Sequence, residues 1–209
     1  MTIQRIAELE ANMRRRAIAL PARFRPFVRH RDSHPRAFIL TGPRGVGKTT
    51  YLLHHALKAQ ETHQTRILYV SADNPTLGSE PLYETIASIF LAGYSGVIID
   101  EVHFAKDWSL NLKALYDDYP NHSIWVSDSS SLILRMGKGD LSRRFVHIEM
   151  PLLSFREFLY LETGKEYAIH NPFESNTDLP LEPTPNVLAA FRVYRNSGTR
   201  PFYSEGDFN

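Results

Sequence analysis

The chain has 209 residues, 43% of them hydrophobic and 22% charged, and it contains no cysteine. That length supports one sizeable core burying roughly 70% of the unfolded surface, and the missing cysteine excludes disulfides and thiolate metal sites. No apolar run approaches the ~18 residues of a membrane span, and the opening MTIQRIAELEANMRRR lacks the apolar middle and cleavage site of a secretory signal, so a cytoplasmic location is expected.

The formal net charge of +1 hides an asymmetry: residues 1–36 hold nine Arg against Glu8, Glu10 and Asp32, net +6, leaving −5 for the rest. A basic arm on a mildly acidic body is either a solvated helix face or a contact surface for DNA or an acidic protein. Ile6, Leu9, Met13, Ala17 and Leu20 recur at spacings of three and four, which predicts an amphipathic helix that docks one face and ends at Pro21.

After the polar RHRDSHPR, the run AFILT (37–41) is a short apolar strand, and Leu52, Leu53, Ala56 and Leu57 mark a helix beyond it. Between them, GPRGVGKT satisfies G-x-x-x-x-G-K-[ST] in the strand-to-helix context that a phosphate-binding loop requires. Gly42, Gly45 and Gly47 let the backbone curl with its N–H groups toward phosphate oxygens, and the helix N-terminus favours the same anion. The loop with its flank, Gly42, Pro43, Arg44, Gly45, Val46, Gly47, Lys48, Thr49 and Thr50, is the expected nucleotide-binding segment. Lys48 is expected at the β- and γ-phosphates of ATP and Thr49 at Mg²⁺.

The alternation continues with strands at 66–73, 96–100, 123–127 and 145–150 and helices at 81–93 and 108–120, a parallel sheet covered on both faces. The third strand, GVIID, runs into Asp100 and Glu101. A strand-end Asp beside a phosphate loop holds Mg²⁺, and the following Glu is the candidate base that polarises attacking water. His103 completes the letters DEVH, but a two-lobed helicase needs a second lobe that this length does not accommodate, so no chemistry is expected of it. Trp108, Tyr116 and Trp125 sit at core spacings, and the nine histidines show no zinc-binding pattern. After Pro151, Ser154 and Glu157 form a capping box that opens a helix closed by Gly164. Residues 165–185 are a polar linker, and a last helix through Leu188, Phe191 and Tyr194 ends near Gly198.

Taken together, TGPRGVGKTT, VIIDEVHFAKDWSLNLKALYDDYP, SDSSSLILRMGKGDLSRRF and IEMPLLSFREFLYL resemble the prokaryotic AAA+ ATPases catalogued as "AAA domain 14", over about residues 37–160. The resemblance implies an α/β P-loop NTPase sheet of strand order 5-1-4-3-2 with helices on both faces. With the basic helix and arm (1–36) read from the residues, it implies an ATPase core (37–150) and a small helical lid (151–209), expected to be either incomplete or naturally short, since relatives continue into a further C-terminal domain. It implies that Ser127, with Ser129 close behind, senses the γ-phosphate, and that Arg144 is a finger reaching the nucleotide of a neighbouring subunit in a homo-oligomer. Two family glycines are replaced here by Asp128 and Arg143, and a pair between these opposite charges is expected. Arg192 and Arg195 are expected to be surface residues. The implied activity is Mg²⁺-dependent ATP hydrolysis, with Lys48, Glu101, Ser127 and Arg144 as catalytic residues and Thr49 and Asp100 at the metal, driving the remodelling of a nucleic-acid or protein client. A nucleotide-dependent binding module with negligible turnover is the alternative, and a phosphotransferase is the third reading.

Overall fold

The computed structural model describes residues 2–29, 34–75, 80–129, 141–167 and 185–201. Most of the polar linker, the serine cluster beyond Ser129 and the last eight residues lie outside the described residues. Five strands, β1 (Ala37–Thr41), β2 (Ile67–Ser71), β3 (Gly96–Asp100), β4 (Ser123–Asp128) and β5 (Val146–Glu149), form one parallel sheet in the order β2-β3-β4-β1-β5. Read from the other edge, this is the 5-1-4-3-2 order expected. The described helices are α1 (Ile3–Ile18), the short α2 (Pro26–Arg29), α3 (Lys48–His63), α4 (Leu82–Leu91), α5 (Trp108–Asp118), α6 (Phe155–Thr163) and α7 (Pro185–Ser197). No helix among the described residues is long and apolar enough to cross a membrane.

Strand side chains alternate between two cores, which is why the strands read as unbroken apolar runs. Ala37, Ile39, Leu68, Val70, Val97, Ile99, Ile124 and Val126 face one layer with α4 and α5. Phe38, Leu40, Tyr69, Ile98, Trp125 and Ile148 face the other, where Tyr51, Leu52, Leu53 and Ala56 of α3 cover them. Trp125 thus packs in the core, as its spacing indicated.

Helix α1 lies across the exposed edge of β2: its Leu9 joins the first core and its Met13 the second. A strand edge left open offers unpaired backbone to other chains, and a docked helix removes that hazard. Glu10 anchors the helix, accepting from the Tyr94 hydroxyl and lying 3.5 Å from Arg66 Nη2.

Much of the N-terminal positive charge is spent on structure. Arg25, only 3% exposed, forks onto Glu157 with bonds of 2.8 and 2.7 Å and donates to the Val46, Pro151 and Leu152 carbonyls. Arg36 stacks on Tyr116 and donates to the Tyr119 carbonyl at the end of α5, Arg23 donates to the Leu161 carbonyl near the end of α6, and Arg29 pairs with Glu166. Cations at helix C-termini are favourable because the last carbonyls lack intrahelical donors. Arg14 and Arg15 remain exposed with no ion-pair partner among the described residues. Helix α6 begins with the Ser154–Glu157 capping box and ends at Gly164, both as expected. Phe155 and Phe158 pack it on Phe191 and Tyr194 of α7.

Candidate functional site

The loop between β1 and α3 holds its shape through glycine. Gly47 has φ +100, and at Gly42 (φ +150) an added Cβ would sit 2.2 Å from the Met150 carbonyl oxygen, so no larger residue fits. Lys48, the first residue of α3, folds back over the loop and donates from Nζ to the carbonyls of Gly42 (2.9 Å) and Pro43 (3.2 Å). Burial pushes its ammonium pKa down, although Glu101, Asp100 and Asp128 pull the other way.

The parallel register brings the carboxylates to this loop, since β3 and β1 both end at the same rim of the sheet. Asp100, at the end of β3, accepts at Oδ2 from the Thr49 hydroxyl (2.7 Å) and the Tyr69 hydroxyl (2.7 Å), and at Oδ1 from Ser127 Oγ. The Ser127 hydroxyl in turn accepts from the Glu101 N–H at 3.4 Å, so this serine lies between the two acids. Glu101 adopts φ 50 and ψ 51, a left-handed conformation that costs a non-glycine residue about 1–3 kcal/mol. That conformation turns its side chain out of the strand, where Oε2 accepts from Ser129 N (3.2 Å) and Ser129 Oγ (2.6 Å).

Tyr69 was not singled out from sequence. Its signal was a phenol in the wholly buried strand β2, where a hydroxyl needs a partner. The register pairs Ser71 with Asp100 and Tyr69 with Ile98, which sets the phenol two residues below the acid. Burial and the adjacent Asp100 charge hold the Tyr69 hydroxyl protonated, its pKa pushed well above the ordinary value.

Two expectations change. His103 is part of the site after all: its Nδ1 lies 3.5 Å from Glu101 Oε2 and 3.4 Å from Asp128 Oδ2. Asp128 therefore faces His103 rather than Arg143, since the strand end buries Asp128 to 1% exposure while Arg143 is exposed beyond it, and no Asp128–Arg143 ion pair occurs among the described residues. Arg144 forks onto Asp117 of α5 with two bonds of 2.9 Å. Arg192 and Arg195 are exposed on α7.

Beside Gly47, Thr49 and Thr50 opens a cleft of about 480 Å³, walled by Leu20 and Phe24 on one side and by Leu161 of α6 on another. Its lining mixes these apolar side chains with the cations Arg16, Arg23 and Arg25, which suits an anionic group joined to an apolar ring system.

A curated relative, the uncharacterized protein MJ1637 of Methanocaldococcus jannaschii, is 36% identical over 186 residues, 81% of this chain and 39% of that protein, so the chain spans about two-fifths of the relative's length. Among solved structures, PCH-2 of C. elegans is similar at TM-score 0.50 and 15% identity, covering 93% of this chain and 57% of that one, a likeness of fold. The AAA domain family matches residues 34–159, the stretch that carries the phosphate loop, both acids, Ser127 and Arg144. The chain belongs to the AAA domain family of P-loop ATPases.

Proposed function

We propose that the protein binds ATP with Mg²⁺ at the β1–α3 loop, hydrolyses it to ADP and phosphate, and couples turnover to remodelling a nucleic-acid or protein client. The observation that carries this reading is the 2.7 Å hydrogen bond from Thr49 Oγ1 to Asp100 Oδ2. It puts a loop hydroxyl and a strand-end carboxylate, two hard oxygen donors of the kind Mg²⁺ prefers, at one point beside the phosphate cradle. The residues present therefore fit the ion: Thr49 and Asp100 would hold it, and it would supply charge neutralisation on the phosphate oxygens.

The chain's own groups do the rest. Backbone N–H groups of residues 44–49 bind phosphate, and Lys48 exchanges its two carbonyl partners for phosphate oxygens. Release of Lys48 from the Gly42 and Pro43 carbonyls also gives the buried ammonium a directly bonded anion in addition to the charges of Glu101, Asp100 and Asp128. Glu101 takes the proton from attacking water. Ser127, already bonded to Asp100 and to the Glu101 backbone, reports the γ-phosphate to both acids. The cleft lined by Leu20, Phe24 and Leu161 receives the nucleoside, with α6 and α7 acting as its lid. The exposed Arg14 and Arg15 on α1 are the surface offered to a DNA or acidic protein client, and ATP as the substrate implies work in the cytoplasm.

Lys48→Ala is expected to lose nucleotide binding. Glu101→Gln is expected to keep binding and lose turnover, measured as phosphate release beside equilibrium binding of ATP. Unchanged phosphate release in Glu101→Gln would remove the assigned base, and tight ATP binding by the wild type without phosphate release would instead support a nucleotide-driven switch. Transfer of the γ-phosphate to an acceptor other than water, seen by product analysis, would support the phosphotransferase reading.

A further inference from the structure

The contacts made by the Glu101 carboxylate are one-sided. Ser129 N and Ser129 Oγ both donate to Oε2, and His103 Nδ1 stands 3.5 Å from that same oxygen, while Oε1 has no hydrogen-bond partner among the described residues. The His103 ring packs against the Phe104 ring at a tilt of 35°, with centroids 4.2 Å apart. Its Nδ1 is buried and makes no hydrogen bond among the described residues, although it lies between two carboxylate oxygens at 3.5 and 3.4 Å. A buried ring nitrogen left without a hydrogen bond is costly, so a small movement that completes one is favoured.

We propose that His103, set between Glu101 and Asp128, is a positioning residue for hydrolysis: it and Ser129 fasten Oε2 of Glu101 so that Oε1 alone faces the attacking water. The proposal rests on the ATPase reading above and adds a residue to it. Fixing one oxygen of a carboxylate removes rotations that would turn the basic oxygen away from its proton, which is the gain that orientation brings to a general base. Asp128 orients the imidazole in turn, accepting from Nδ1 whenever Glu101 does not, so the ring stays in this plane.

The test compares steady-state turnover and ATP affinity for the wild type, His103→Ala, His103→Asn and His103→Ala combined with Glu101→Gln. His103→Ala is expected to lower kcat about tenfold, part of the ~10²–10⁴ that a positioned base supplies, with ATP affinity changed less than about twofold, the signature of a loss confined to the chemical step. His103→Asn places an amide N–H near the Nδ1 position and is expected to recover most of the rate. On the residual turnover of Glu101→Gln, His103→Ala is expected to cost nothing more, because both act through one carboxylate. A wild-type kcat in His103→Ala overturns the proposal, as does a full further loss in the double variant or a His103→Asn that binds ATP normally without recovering rate. Tight Zn²⁺ binding that His103→Ala abolishes also overturns it, assigning to a metal the three ligand atoms that lie within 4.8 Å of one another. Should the wild type turn over no ATP, the hydrolase reading fails by itself. The contact is then decided by the ¹⁵N resonance of His103 Nδ1, which must move in Glu101→Gln, and an unmoved resonance overturns it.

Discussion

Asp100 collects three hydroxyl donors on two oxygens, and each comes from a different element: Thr49 from the start of α3, Tyr69 from β2 and Ser127 from β4. A carboxylate buried to 4% exposure needs such donors, because its charge has lost most of its water. Of the three, only Tyr69 is remote from the loop and from Ser127's place beside Glu101, so its removal separates support of the acid from contact with nucleotide. Tyr69→Phe keeps the ring in its packing and deletes one hydrogen bond to a charged group, a loss of about 1.5–3 kcal/mol. Urea unfolding is expected to show a fall of that size with an unchanged slope, and an unchanged midpoint would mean that Thr49 and Ser127 suffice to hold Asp100.

At the scale of elements, the link from Arg25 to Glu157 joins the segment before β1 to the first turn of α6, and through the Val46 carbonyl it touches the phosphate loop as well. Burial pushes the Glu157 carboxyl up, but the Arg25 hydrogen bonds, the Ser154 N–H and the Arg25 charge outweigh it and hold the pKa below its ordinary value of 4.5. A carboxyl depressed on folding contributes stability that is complete above the unfolded pKa and is lost as pH falls through the folded one. Stability is therefore expected to drop on the acid side of about pH 4.5. Arg25→Ala should cost about 3 kcal/mol at neutral pH, since it strands a half-buried carboxylate, and should shrink the acid-side drop, measured by urea unfolding across that range. An acid-side drop of wild-type size in Arg25→Ala would assign the pH dependence to other groups. The contrast with the capping box is instructive. Ser154 and Glu157 are three residues apart, so their reciprocal bonds could be read directly from spacing, as could the phosphate loop. The Arg25–Glu157 and Tyr69–Asp100 bonds join residues distant in the chain, and only the assembled sheet and the packed α6 bring them together. The expected Asp128–Arg143 pair failed for the same reason: opposite charge indicated a partner, but the direction in which β4 delivers Asp128 was set by the sheet, and it delivers that side chain to His103.

At the scale of the whole molecule, the two sheet edges differ. Helix α1 covers β2, whereas β5 at the other edge leaves Val146, His147 and Glu149 exposed, and Arg144 lies just before it. Arg144 can act on a neighbour's nucleotide only by leaving Asp117, which holds it with two bonds of 2.9 Å. The Asp117 side chain is 47% exposed, so water can replace that partner at little cost. A finger that works across an interface predicts complementation. With the base proposed for Glu101 and a trans-acting role proposed for Arg144, each single variant is expected to be nearly inactive, while a mixed assembly would contain interfaces in which an intact Glu101 of one subunit meets an intact Arg144 of the other. Mixing the two variants at high protein concentration should restore ATP turnover, and dilution should abolish it, because the restored rate depends on association. The same dependence should appear in the wild type as a rate that rises more steeply than protein concentration. If the mixture stays inactive while Arg144→Ala lowers the thermal midpoint, the Arg144–Asp117 contact is a fastening between the end of α5 and the approach to β5, and the neighbour supplies nothing to this site.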